Sequence, residues 1–295
     1  MERFEVFTIL ITNTLVMPST ESQSDAAQRM YTERATNYED SWHPDYSKRF
    51  MELVPIKSGD RVLDLACGTG LEAVIAARHV GDDGIVIGVD ITEAMLSEAS
   101  KKLDHDETLY RRIKLVRHSV TDLTGCPNVD RDSFDLILCS NAFVLFENPE
   151  EVVAHWRGYL KPGGRVAIDI THEYNLRSGL LLEKVARRLG MPFPSNRSWI
   201  KSKESFSEIL ESRGFVVEKV EALEKIVGLG STYFGLDKAD EQFDYVVNGP
   251  LTASIVTEEL RVKGREYFKE EWHNAAVDGK VEVSDILYVY IARKI

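Results

Sequence analysis

Short runs of consecutive apolar residues recur along the chain and alternate with stretches whose apolar positions fall at three- and four-residue steps. The runs are RVLDLA (61–66), GIVIGVD (84–90), IKLVRHSV (113–120), FDLILCS (134–140) and RVAIDIT (165–171). They read as strands buried on both faces, and the stretches between them, such as GLEAVIAARHV and TEAMLSEASKKL, as amphipathic helices. This alternation predicts an α/β, Rossmann-like, doubly wound sheet, mostly parallel, with helices on both faces. Two more strands follow at GFVVEKVEAL (214–223) and DILYVYIARKI (285–295), with helices near 176–189 and 203–213, which gives seven strands in all.

Two segments fall outside that rhythm. Residues 22–58 read as a helical cap in two pieces, broken at His43-Pro44 because proline lacks the amide that a helix interior needs. About 224–283 lies an insertion too long for a plain connection, with helices near 239–248 and 255–275; it is expected to form a lid or pocket wall. Residues 1–21 read as a leader, either disordered or preceding a true start at Met17. Its apolar stretch, Phe4 to Met17, is too short to span a membrane and lacks a small-x-small cleavage site.

Composition narrows the partners. With 36 basic against 48 acidic residues, the formal charge of -12 repels nucleic acid and acidic membranes. Cys67, Cys126 and Cys139 show no CxxC spacing, so neither a disulfide scaffold nor a metal site is expected, and a reducing, cytoplasmic setting fits.

The candidate chemistry lies in VLDLACGTG (62–70). Gly68-Thr69-Gly70-Leu71-Glu72-Ala73 satisfies G-x-G-x-x-A after a strand, and Asp90 follows Gly70 by twenty residues at the end of the next strand. Taken literally, this is a dinucleotide fingerprint. Asp64 argues for another ligand, because its charge opposes a pyrophosphate and suits a cation. A ligand with a positive charge and a ribose satisfies both carboxylates, and S-adenosylmethionine has both.

Four stretches in order resemble the class I S-adenosylmethionine-dependent methyltransferases: VLDLACGTG, VIGVDIT with Met95, SFDLILCSNAF and LKPGGRVAI. The nearest branch is the ubiquinone- and menaquinone-biosynthesis-like one, with its small-molecule methyltransferases of secondary metabolism. The resemblance runs from about Tyr31 to Thr171 and implies a methyltransferase domain over 59–295 whose last strand is antiparallel. It implies that Asp64 holds the methionine ammonium, that Ala66 stands where many members have the first glycine, and that Gly68 and Gly70 admit the ligand to the backbone. Asp90 would accept the ribose hydroxyls, and Ile91 and Met95 would pack on the adenine. Ser119 stands where an acidic adenine contact is usual, so that contact passes to Val120 or to Asp122. Asn141 would lie under the methionine, with Tyr31, Tyr38 or Trp42 closing the cofactor from the cap.

For the reaction itself, His172, directly after the fifth strand, is the candidate general base, and His43 in the cap is the second. Tyr233, Phe234, Phe243 and Tyr245 offer aromatic surface for a planar or apolar small acceptor, with His43 at its edge. Three readings follow: a small-molecule methyltransferase, with oxygen as the expected acceptor atom; a cofactor-binding protein of this fold without methyl transfer, such as a pericyclase or regulatory partner; and a nicotinamide oxidoreductase.

Overall fold

A computed structural model describes residues 22–228 and 230–295, so the expected leader over 1–21 lies outside the described residues. Nine strands occur in this region: β1 (Arg61–Leu65), β2 (Ile85–Asp90), β3 (Ile113–Arg117), β4 (Phe134–Cys139), β5 (Leu160–Thr171), β6 (Phe215–Leu223), β7 (Ser231–Gly235), β8 (Lys280–Ser284) and β9 (Leu287–Lys294). Seven form one sheet in the order β3-β2-β1-β4-β5-β9-β6. Neighbours among β1 to β5 pair in parallel, and β9 runs antiparallel to both β5 and β6. The doubly wound sheet and its antiparallel last strand are therefore as the sequence led us to expect.

Side chains alternate across each strand, and the two faces are filled by different helices. Leu63, Leu65, Val89, Ile137 and Ile168 join one core, with Trp156 of α6 (Pro149–Arg157) and Phe206 of α8 (Glu204–Ser212). Val62, Val86, Leu138 and Ala167 join the other, with Tyr46 and Phe50 of α2 (His43–Leu53) and Ala73, Ala76 and Ala77 of α3 (Leu71–Val80). By the same period of two, Asp64, Asp90 and Asp169 all fall on the second face, at the carboxyl ends of their strands.

The cap differs in detail from its expected form. The first helix, α1 (Gln23–Arg34), passes into a single 3-10 turn at Ala35–Asn37, well before the proline. Pro44 instead opens α2, in the first turn, where its missing amide costs nothing.

The insertion also holds an unexpected element. Strands β7 and β8 pair antiparallel, with Tyr233 opposite Glu282, although some fifty residues separate them. Between them, α9 (Ala239–Val247), a π-helical turn at Leu260–Gly264 and α10 (Arg265–Asn274) pack on α7 (Arg177–Arg188) around Phe243, Phe268 and Trp272. Among the described residues, no helix is long and apolar enough to cross a membrane.

One glycine fixes where the candidate loop begins. A Cβ on Gly88 of β2 would stand 3.0 Å from Cys67 Sγ and 3.1 Å from Leu115 Cδ2. Its bare backbone lets the turn after β1 fold over β2, where the Cys67 amide donates to Val89 O at 3.1 Å. Gly88→Val is expected to destabilise the fold by about 1–3 kcal/mol through overpacking, read as a lowered urea midpoint. A wild-type midpoint would show that the turn does not need this gap.

Candidate functional site

A cavity of about 590 Å³ opens at the carboxyl ends of β1, β2 and β4, where open α/β sheets bind ligands. Ala66 and Gly68 form its floor, Asp90, Ile91 and Met95 one side, and Ser119, Val120 and Asn141 the other, while Tyr31 and Tyr38 cover it from the cap. Ten of the fourteen cofactor candidates named above thus share one cavity, and Asp122 is not among them.

The loop gets its shape from backbone conformations that few residues adopt. Ala66, Gly68 and Gly70 all have positive φ, at 58°, 54° and 77°. Ala66 thus accepts the left-handed conformation that a glycine would take without strain. A Cβ on Gly68 would meet Met95 Cε at 3.0 Å, so its absence leaves the floor of the cavity open. Gly70 lies off the cavity and does another job: it caps α3 and lets Ala99 of α4 (Glu93–Asp104) approach, where an added Cβ would sit at 3.3 Å.

Asp90 anchors the loop and faces the cavity. Its Oδ2 accepts from the Gly68 amide at 2.9 Å and its Oδ1 from the Thr92 amide at 2.7 Å. Each oxygen keeps a further lone pair for a ligand. Burial pushes the Asp90 carboxyl above its usual range, against the pull of those two amides.

Asp64 does not line the cavity. It is 1 % exposed, beneath the loop, and its Oδ2 has no hydrogen-bond partner. Burial, then the neighbouring Glu72 and Asp90 charges, hold its carboxyl well above the ordinary range, while the Ala73 amide at the start of α3 draws it down. Glu72, also raised by burial, accepts from Ser47 Oγ at 2.6 Å. Asp169, pushed by burial up to about 7, accepts from Tyr46 Oη at 2.5 Å and from Ser140 Oγ at 3.1 Å. Among the described residues, no ion pair reaches any of these four carboxylates. The nearby ammonium of Lys102 is held by Glu39 and by Thr69 O.

Other candidates fall elsewhere. Trp42 and His43 are off the cavity, in an aromatic stack in which His43 lies 4.0 Å from both the Tyr38 and Trp42 rings. Burial lowers the His43 imidazole to about 4, so it is neutral. His172 also lies off the cavity, ringed by Tyr174 and Tyr288. Its Nδ1 accepts from the Tyr174 amide at 3.0 Å. The proton of the neutral ring is then on Nε2, so in this tautomer His172 presents a donor there and its basic nitrogen is taken up by the Tyr174 amide. Phe243 is fully buried in the insertion core, Phe234 packs against that core, and Tyr233 is largely exposed, so none of the three lines the cavity. The aromatic signal came from a local core, which helical spacing alone does not distinguish from a ligand wall.

Sequence reasoning missed Asp169, Tyr46, Ser47 and Glu39, as well as Leu145, Phe146 and His155 of the cavity wall. Asp169 interrupts an otherwise apolar strand, VAIDI, and that lone acid was the available signal.

The family model described as a methyltransferase domain matches residues 62–164. That stretch is similar to a methyltransferase domain. It takes in the glycine loop, Asp90 and the β4 turn, which together make most of the cavity. A demethylmenaquinone methyltransferase of Lactobacillus johnsonii is 33 % identical over 42 % of this chain and 48 % of its own. An aklanonic acid methyltransferase of Streptomyces is 32 % identical over 41 % of this chain and 52 % of its own. The chain thus spans about half the length of these curated relatives. In fold, it resembles a phosphoethanolamine N-methyltransferase of Haemonchus contortus, with a TM-score of 0.56, 17 % identity and coverage of 94 % of this chain and 61 % of that one. It also resembles the [4+2]-cyclase SpnF, with a TM-score of 0.51, 17 % identity and coverage of 85 % and 81 %.

The buried acids around the cavity have a measurable cost. A carboxyl whose pKa is raised in the folded state binds more protons there than in the unfolded chain, so its contribution to stability falls as pH rises. Asp64→Asn is therefore expected to stabilise the ligand-free protein more at pH 8 than at pH 5, measured by urea unfolding at both values. An equal effect at the two pH values would mean that Asp64 is not held ionised against burial.

Proposed function

We propose that the protein is an S-adenosylmethionine-dependent methyltransferase acting on a small molecule, with transfer to an oxygen atom. The observation that carries this reading is the group of four buried carboxylates, Asp64, Glu72, Asp90 and Asp169, with no ion-pair partner among the described residues. Such a site favours a cationic ligand and disfavours a pyrophosphate, which weighs against a nicotinamide dinucleotide. The residues fit S-adenosylmethionine: Asp64 keeps an unpartnered oxygen, Asp90 keeps lone pairs for two hydroxyls, and the bare Gly68 admits a ligand against Met95. When bound, the cofactor supplies an electrophilic methyl group on its sulfonium.

The chain's own residues orient and enclose. Ile91 and Met95 on one side and Val120 on the other make an apolar slot suited to adenine, with the Ser119 hydroxyl at its rim. Val120 is held in place by Trp156, whose Nε1 donates to its carbonyl at 2.7 Å. Tyr31 and Tyr38 exclude water from above. Alignment of two reactants supplies roughly 7–11 kcal/mol without acid or base. His155 in the wall spends Nε2 on the Leu123 amide at 2.8 Å, so, like His172, it offers no free basic nitrogen there. A carboxylic acid, already ionised at neutral pH, needs no such base, and neither does a phenol or quinol whose hydroxyl is made more acidic by electron-withdrawing groups. The relatives named for demethylmenaquinone and aklanonic acid support a small-molecule acceptor.

Calorimetry with S-adenosylhomocysteine tests the site. Asp90→Ala removes two charge-assisted hydrogen bonds, each worth about 1.5–3 kcal/mol, so affinity should fall at least ~100-fold. Wild-type affinity in a folded Asp90→Ala protein would refute the assignment. Formation of S-adenosylhomocysteine with a panel of phenols, quinols and carboxylic acids tests transfer. Cofactor binding with no turnover on any of them would favour a member of this fold that has lost methyl transfer.

A further inference from the structure

Asp169 is the best-connected side chain near the cavity that does not touch it. Three donors from two elements meet its carboxyl: Tyr46 Oη of the cap, Ser140 Oγ, and the Asn141 amide, which reaches both oxygens at 2.9 and 3.0 Å. Asn141 lines the cavity and has a φ of 55°, a left-handed conformation that needs outside support in a residue with a side chain. Tyr46 and Ser47 are consecutive in α2, and Ser47 holds Glu72 next to the glycine loop. A single carboxyl therefore joins the cap to the β4 turn that lines the cavity.

We propose that Asp169 is a positioning residue that couples the cap to the ligand-facing turn, so that cofactor affinity depends on the Tyr46–Asp169 hydrogen bond although neither side chain lines the cavity. This rests on the cofactor reading above. Every one of these donors favours the ionised carboxyl, whereas burial raises it to about 7. The groups that face it are Tyr46 of α2, Glu72 of α3, Ser140 and Cys139 at the end of β4, and, at longer range, Tyr31 and Tyr38 of the cap. Burial raises Cys139 and the three tyrosines, so these stay protonated between pH 6 and 8. Glu72 is raised too, and it is unchanged in the variants below.

The test is S-adenosylhomocysteine affinity by calorimetry at pH 6, 7 and 8 for wild type, Asp169→Asn and Tyr46→Phe. Amide exchange across residues 140–146 of the ligand-free proteins is read alongside. Wild-type affinity should rise several-fold from pH 6 to 8, and Asp169→Asn should bind about 10-fold more weakly at pH 8 with a flattened profile. Tyr46→Phe keeps the ring packed on Phe50 and should also weaken binding several-fold. Both variants should speed exchange at the Asn141 turn. A role in stability alone would lower the melting temperature but leave the pH profile of affinity as in wild type, and that result overturns the proposal. Should Asp169→Asn not fold, Tyr46→Phe with wild-type affinity and wild-type exchange overturns it equally. A wild-type protein that binds no S-adenosylhomocysteine at any pH overturns the cofactor reading instead, while the exchange data still report on the turn.

Discussion

Four buried carboxylates, three on one sheet face and Glu72 on the helix α3 packed against it, have no ion-pair partner among the described residues, and they are the constraint around which this fold is arranged. Isolated buried charge is costly, and a protein keeps it only where other interactions outweigh the cost or where a ligand completes the site. Here the surroundings supply mainly dipoles, with the Lys102 charge acting on Glu72 without pairing to it. The Ala73 amide in the first turn of α3 points at Asp64, two backbone amides hold Asp90, and two consecutive hydroxyls of α2 reach Asp169 and Glu72. These lower the cost without neutralising it, and all four carboxyls remain raised by burial. The remaining imbalance is what a sulfonium and an ammonium together would relieve.

The cap follows from the same constraint. It is tied to the sheet through the acids, by Tyr46 and Ser47, and to the glycine loop through Glu39, which accepts from Thr69 Oγ1 at 2.5 Å and pairs with Lys102 of α4. Because Thr69 stands between the two loop glycines, the loop's shape and the cap's seating depend on each other. The aromatic series Tyr31, Tyr38, His43, Trp42 and Tyr46 then stiffens the cap from the cavity roof down to Asp169. Trp42 and His43 thus contribute to the site by supporting the residues that cover it.

Much of this was legible in the sequence because it depends on local pattern. Apolar runs gave the seven strands of the main sheet, and the spacing of Asp64, the glycines and Asp90 gave the floor and one side of the cavity. What stayed hidden depends on pairing across distance. The β7–β8 hairpin joins segments about fifty residues apart, and no local signal encodes that match. Tyr46 meets Asp169 across more than a hundred residues, so each reads alone as a packing residue or a stray acid. His172 shows a different limit: its position after a strand is visible in sequence, but its place off the cavity and the use of its Nδ1 by the Tyr174 amide depend on the fold.

The insertion's aromatics bear on where acceptor recognition resides. Phe243, Phe268 and Trp272 build a core that holds α7, α9 and α10 together, so they have little surface left to offer a ligand. Beyond the slot of Ile91, Met95 and Val120, apolar surface faces the cavity from Ala27 of α1 and from Ala142, Leu145, Phe146 and Val152 around the start of α6. These lie beyond the β4 turn that Asp169 holds, between the cap and the sheet. The apolar wall open to a ligand therefore lies on α1 and the turn leading into α6, and the latter follows the β4 turn that Asp169 holds. A substitution that loosens the cap should then disturb this wall and the β4 turn together, because one set of hydrogen bonds ties both to the buried acids.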